Sequence, residues 1–346
     1  MTSIMLPHGA AYTGATAELL EAARKDEGAV YLPSVFNPAT ATQKGVLRVA
    51  EDRVPAKRTT DKKPGYNVYY ELHGKGPKHI VFLMGVNNSC FGWLGQVEEF
   101  GRDPEYSVLV LDNCGYGNSD APFVRLKTTD FALDTRELLD HVGWTEKQSV
   151  HVVGVSMGGM IALELGALCT DRIASLTLLS TTPGEMHNLP PLAGLQMFSL
   201  SLAESIVGAS PHRRVYRIIE VLFPPEWLEQ KHVSDPRGRT NREVIREAFL
   251  WRYEFVRKPQ LQGAMSQLMA CLTHHVPREE LVRMQDTIPD VKIIVGDWDQ
   301  LVNTKHSAYM HEVMPKADYQ VWKGGGHALH YQFQDRFNKM LRDMTS

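Results

Sequence analysis

Cysteine is scarce in this chain. Its 346 residues hold four, Cys90, Cys114, Cys169 and Cys271, far apart and without a Cys-x-x-Cys pair. That excludes a disulfide-framed scaffold and a zinc ribbon, and it reads as free thiols of a reducing, cytoplasmic compartment. Long apolar runs are missing as well. No stretch approaches the ~18 residues a membrane-spanning helix needs, so no membrane partner is expected. Residues 1–10 contain Pro7 and His8 and lack the apolar core of a secretory signal. The final Met344-Thr345-Ser346 is not a peroxisomal address. There is no excess of one charge: 37 Lys and Arg stand against 40 Asp and Glu, a net of −3. Nothing in that balance suggests a nucleic-acid partner. Internal repeats and low-complexity tracts are absent too. What is present is a 43% apolar fraction, enough for one large α/β domain with an insertion.

The most informative stretch is Val150-His151-Val152-Val153-Gly154-Val155-Ser156-Met157-Gly158-Gly159-Met160. A β-branched run leads into Gly-x-Ser-x-Gly, and a segment rich in Ala, Leu and Glu follows. This strand–turn–helix context turns the motif into a nucleophile elbow, with Ser156 at its strained tip. The helix N-terminus behind it offers N–H groups and a positive dipole end to a developing oxyanion.

A base, an acid and a second oxyanion donor follow in the matching order. The strand pattern 318–322 runs into Lys323-Gly324-Gly325-Gly326-His327, which puts an imidazole in the last loop, where it can take a proton from a serine. The buried-strand pattern 291–295 runs into Gly296-Asp297-Trp298-Asp299. Asp299 is the preferred partner for the far nitrogen of His327, Asp297 its rival and Glu185 a third option. The strand 79–84 ends at Gly85, so the backbone N–H of Val86 is expected to face that of Met157 across the oxyanion.

On these residues the chain resembles the α/β-hydrolase superfamily, in its serine-nucleophile branch with a helical cap, from about residue 46 to the C-terminus. Asp112-Asn113-Cys114-Gly115-Tyr116-Gly117-Asn118-Ser119 is similar to the family's Asp-x-Arg-Gly-x-Gly-x-Ser loop, and Gly326-His327 to its histidine loop. Met84 stands where the family usually has histidine, and Cys114 where it has arginine. The resemblance implies an α/β fold: an eight-stranded, mostly parallel sheet flanked by helices, with an inserted all-helical cap. A serine nucleophile sets the chain apart from capped relatives that use a carboxylate for alkyl transfer, and suits acyl transfer.

The pattern divides the chain into an N-terminal extension (1–45), a first core part (46–184), a helical cap (185–290) and a second core part (291–346). Strands are expected near 46–54, 67–73, 79–84, 107–112, 150–155, 174–180, 291–296 and 318–323. A short helix, 17–25, lies in the extension, which packs on the core, helps a dimer form or stays a tail. The cap is rich in large apolar groups, among them Met197, Phe198, Phe223, Trp227, Phe249 and Tyr253. Part of these form its own core, and the rest line an apolar pocket. Its charges Arg213, Arg214, Arg239 and Arg242 read as solvated faces, with a substrate carboxylate as the alternative partner for one of them. His274-His275 lacks further ligands at suitable spacing, so no metal and no other cofactor is expected.

The expectation is a monomeric or homodimeric serine hydrolase acting on a small to medium apolar ester, lactone or related acyl substrate. C–C bond hydrolysis of a diketone-type substrate, a ligand receptor and a biosynthetic catalyst built on the same triad are the alternatives.

Overall fold

A computed structural model describes residues 17–26, 29–184, 190–196, 199–200 and 210–346. Eight strands form one sheet in the order β1-β2-β4-β3-β5-β6-β7-β8. They are β1 (Ala41–Val49), β2 (Tyr66–Gly74), β3 (Lys78–Leu83), β4 (Tyr106–Leu111), β5 (Val150–Val155), β6 (Ile173–Leu179), β7 (Asp290–Gly296) and β8 (Asp318–Trp322). β2 runs antiparallel to β1 and β4, and every other pairing is parallel. The central strands β4 and β5 are almost wholly buried, as their unbroken Val and Leu content requires when both faces are covered.

Two apolar clusters fill the two faces. Val81, Leu109, Val152 and Leu176 point into one, with Ile161 and Leu165 of helix α4 (Met157–Leu168). Ile80, Phe82, Val108 and Val153 point into the other, with Phe91, Trp93, Phe100 and Phe337. This alternation within each strand is the period-two side-chain geometry of a pleated sheet.

The first strand lies earlier than the expected 46–54. It spans 41–49, so the extension ends at residue 40. Gln43 and Lys44 are exposed on this edge strand yet pair with Leu72 and Glu71, and Ala50, at φ +59°, ends the run. A half-exposed edge strand needs little apolar signal, which is why the hydrophobic pattern pointed downstream. The described part of the extension packs on the core. The helix 17–25 is present as α1 (Ala17–Lys25), with Leu20 buried, and Leu32 N–H donates to Asn118 Oδ1 at 3.0 Å.

Between β6 and β7 the helices Pro211–Leu222, Pro225–Leu228 and Asn241–Glu254 share a small core around Phe223, Ile219 and Ile245, and helix Leu261–Leu272 follows with Ala270 buried in the first of the two sheet clusters. Glu185, Met197 and Phe198 lie outside the described residues. A further helix, Arg278–Thr287, belongs with the sheet instead: its Leu281 and Met284 are buried against the α4 side, and Arg283 donates to the Ala167 carbonyl.

Candidate active site

Ser156 stands between β5 and α4 with φ +57° and ψ −121°, a conformation costly to a residue with a side chain. Close packing holds it there. A Cβ at Gly158 would fall on the Leu83 carbonyl, and one at Gly154 on the Gly158 carbonyl. Ser156 N–H donates to Leu179 O at 2.9 Å, and the Thr181 hydroxyl donates to Ser156 O at 2.7 Å. The strained turn is thus tied to β6 on its far side.

His327 and Asp299 meet across the ends of β8 and β7. His327 Nδ1 lies 2.9 Å from both carboxylate oxygens of Asp299, and both residues are buried. The N–H groups of Leu301 and Val302 donate to Asp299 Oδ1 at 2.9 Å each, which fixes the carboxylate from behind. Asp297, the rival, is exposed. His327 N–H donates to the Leu222 carbonyl at 2.9 Å, and Gln332 braces the glycine loop by accepting from Gly326 N–H and donating to Gly324 O.

Val86 follows the end of β3 beside the serine: a Cβ on neighbouring Gly85 would stand 3.7 Å from Ser156 Oγ. The next residue, Asn87, sits at φ +50°, and its N–H donates to Gln267 Oε1 at 2.8 Å. Gln267 is fully buried and donates in turn to Cys114 O at 2.8 Å and Asn113 O at 3.3 Å. One side chain from helix Leu261–Leu272 therefore ties the loop after β3 to the loop after β4. The same helix touches that second loop backbone to backbone, since a Cβ at Gly263 would fall on the Gly115 carbonyl. Asp112 anchors the base of both loops, accepting from Cys90 N–H and Asn118 N–H at 2.7 Å each and from Ser89 Oγ at 2.8 Å.

Two cavities meet at Ser156, Val86 and Leu301. The larger, about 240 Å³, also holds His327 and runs under the helices between β6 and β7, past Tyr116, Phe249, Arg252 and Tyr331. The smaller, about 50 Å³, is lined by Met160, Pro190, Leu268 and Leu272 among others. Met84 lines the larger cavity and receives the Asn88 amide on its sulfur. The Cys114 thiol points away, onto the Asp120 carbonyl, and burial pushes its pKa well above the usual thiol range. Of the arginines singled out from sequence, Arg239 pairs with Asp235 and Glu247, Arg242 with Glu220 and Glu229, and Arg214 lines the larger cavity.

Sequence reasoning missed Gln267, Arg252, His330 and Tyr331. A polar Gln267 flanked by Met265, Leu268 and Met269 was the available signal for the first. His330 is buried against the Trp93 ring at 4.4 Å; burial, and then the nearby Arg252 charge, push its pKa down to about 3.

This sheet order, elbow and acid–histidine pair define a fold class that the comparisons identify. A family model described as the alpha/beta hydrolase family matches residues 72–340. The chain belongs to that family, and it is a hydrolase by that membership. It is similar to the "Putative carbamate hydrolase RutD" of Azorhizobium caulinodans, 25% identical over 276 residues, covering 80% of this chain and 93% of that one. Among solved structures, esterase RhEst1 from Rhodococcus sp. ECU1013 aligns with TM-score 0.66 and 20% identity, over 88% of this chain and 98% of that one. The enol-lactonase from Burkholderia xenovorans LB400 aligns with TM-score 0.63 and 18% identity, over 81% and 96%. At these identities the solved structures speak for the fold alone. Among the described residues no helix is long and apolar enough to cross a membrane.

Proposed function

We propose that the chain is a serine hydrolase acting on a carboxylic ester, lactone or related acyl substrate. The observation that carries the reading is the strained Ser156 facing the same cavity as His327, whose Nδ1 is held by both oxygens of Asp299. Ser156 Oγ attacks the acyl carbon while His327 Nε2 takes its proton, and a tetrahedral oxyanion forms. Asp299 keeps the proton of the neutral imidazole on Nδ1 and stabilises the imidazolium. The N–H groups of Met157 and Val86 hold the oxyanion, helped by the N-terminus of α4. The imidazolium returns the proton to the leaving oxygen, the acyl-enzyme forms, and water attacks with His327 again as base. The helices between β6 and β7 act as a cap whose cavity selects the substrate.

The test is intact-mass spectrometry after a fluorophosphonate probe, on wild type, Ser156→Ala and His327→Ala, beside turnover of p-nitrophenyl esters. One adduct on wild type alone, with ester turnover, is the expected result. No adduct and no turnover refute the hydrolase mechanism and favour a receptor or a specialised catalyst on the same fold.

A further inference from the structure

Arg252 is a half-buried cation that, among the described residues, faces no carboxylate. It projects from helix Asn241–Glu254 into the larger cavity. Its guanidinium lies 4.5 Å from the centre of the Phe249 ring and makes a long 3.4 Å approach to the Phe91 carbonyl. The ionisable groups around it include Tyr331, Tyr116, Cys90 and His330, all held neutral by burial. Among the described residues no carboxylate pairs with it. Elsewhere the arginines Arg53, Arg239, Arg242 and Arg342 each have one or more carboxylates.

A cation that gives up part of its hydration without a paired carboxylate carries a cost that a bound anion would offset. Two further atoms of this cavity lack partners: the Tyr331 hydroxyl and His330 Nδ1 are buried without a hydrogen bond. Among the described residues the lining contains Arg214, Arg217 and Arg252 and no Asp or Glu.

Resting on the serine-hydrolase reading, we propose that the substrate carries a carboxylate, received by Arg252 and the Tyr331 hydroxyl, while Ser156 works on an acyl group of the same molecule. The guanidinium fork matches a carboxylate with two parallel N–H donors, and the Tyr331 O–H supplies a further one. An uncharged ester in the same cavity leaves the guanidinium unpaired, so the site discriminates by charge.

The test compares 4-nitrophenyl hemisuccinate, hemiglutarate and hemiadipate with uncharged 4-nitrophenyl esters of equal acyl length. Wild type is expected to favour the best anionic ester by about 100-fold in kcat/KM, the scale of a desolvated charge pair. Arg252→Met collapses that ratio to about one, and Tyr331→Phe lowers it by about fivefold, the scale of a neutral hydrogen bond. Arg252→Met melts at or above the wild-type temperature, because an uncompensated charge is gone, whereas a merely structural arginine would lower it. Glutarate binding is measured by calorimetry on wild type, Ser156→Ala and Arg252→Met. If Ser156 proves unreactive, glutarate bound by wild type and not by Arg252→Met still upholds the anion site. A wild-type preference for uncharged esters, an unchanged ratio in Arg252→Met, or glutarate bound equally by both overturns it.

Discussion

Replacing Gln267 by Met, which keeps shape and removes hydrogen bonding, should uncouple the loop after β3 from the loop after β4. Three partners change. Asn87 N–H and the Cys114 carbonyl lose the bonds they make to Gln267, while the Asn113 carbonyl keeps the Tyr116 N–H at 3.2 Å. Two buried groups left unpaired at about 1–3 kcal/mol each give an expected loss of about 2–6 kcal/mol. The kinetic effect follows from geometry. Asn87 is held at φ +50° with help from that bond. Without it the loop relaxes and turns the neighbouring Val86 N–H away from the oxyanion position. Full loss of one such donor costs about 10²–10³-fold in kcat, so partial misplacement should cost about 10–100-fold, with KM little changed. Urea unfolding gives the first number and 4-nitrophenyl acetate kinetics the second. Stability within about 0.5 kcal/mol of wild type together with kcat within twofold would refute the reasoning.

Three further outcomes are expected. Asp299→Asn should fold normally but lose about 10³–10⁴-fold in kcat at pH 7, since an amide no longer enforces the productive tautomer; a loss under tenfold would point to another acid. Gly263→Ala should cost about 1–3 kcal/mol in thermal or urea unfolding, because backbone faces backbone at Gly115 and neither can step aside. His330 titrates at about 3 in the folded chain against 6.5 in the unfolded one, so between those values the unfolded state binds more protons. Wild type should therefore lose about 1.4 kcal/mol per pH unit below 6.5 through this residue, and His330→Phe should not; parallel urea midpoints at pH 7.5 and pH 5 would contradict the assignment.

How legible all this was depended on whether a residue's task is local. The elbow was readable because its strain, its glycines and its strand–helix context lie within eleven consecutive residues. Asp299 and His327 were readable because each follows the end of a parallel strand, and parallel strands deliver their loops to one edge of the sheet. The start of β1 was not, since an exposed edge strand carries polar residues that resemble a loop. Helix Arg278–Thr287 escaped notice because Leu281 and Met284 are its only residues buried outright. Arg252 and Gln267 were illegible for a deeper reason: their meaning lies in partners absent or distant in sequence, a missing carboxylate for one and loops about 150 to 180 residues away for the other.

The bond from His327 N–H to the Leu222 carbonyl joins the base to the last residue of helix Pro211–Leu222, and Gly326 leaves no room between them. It makes an interlock. In the proposed mechanism, an outward swing of that helix would pull on the loop that sets the imidazole against Asp299, which would couple the base to the seating of the helix. On that reading a substrate would reach Ser156 by another wall, or each turnover would part the imidazole from Asp299 and join them again.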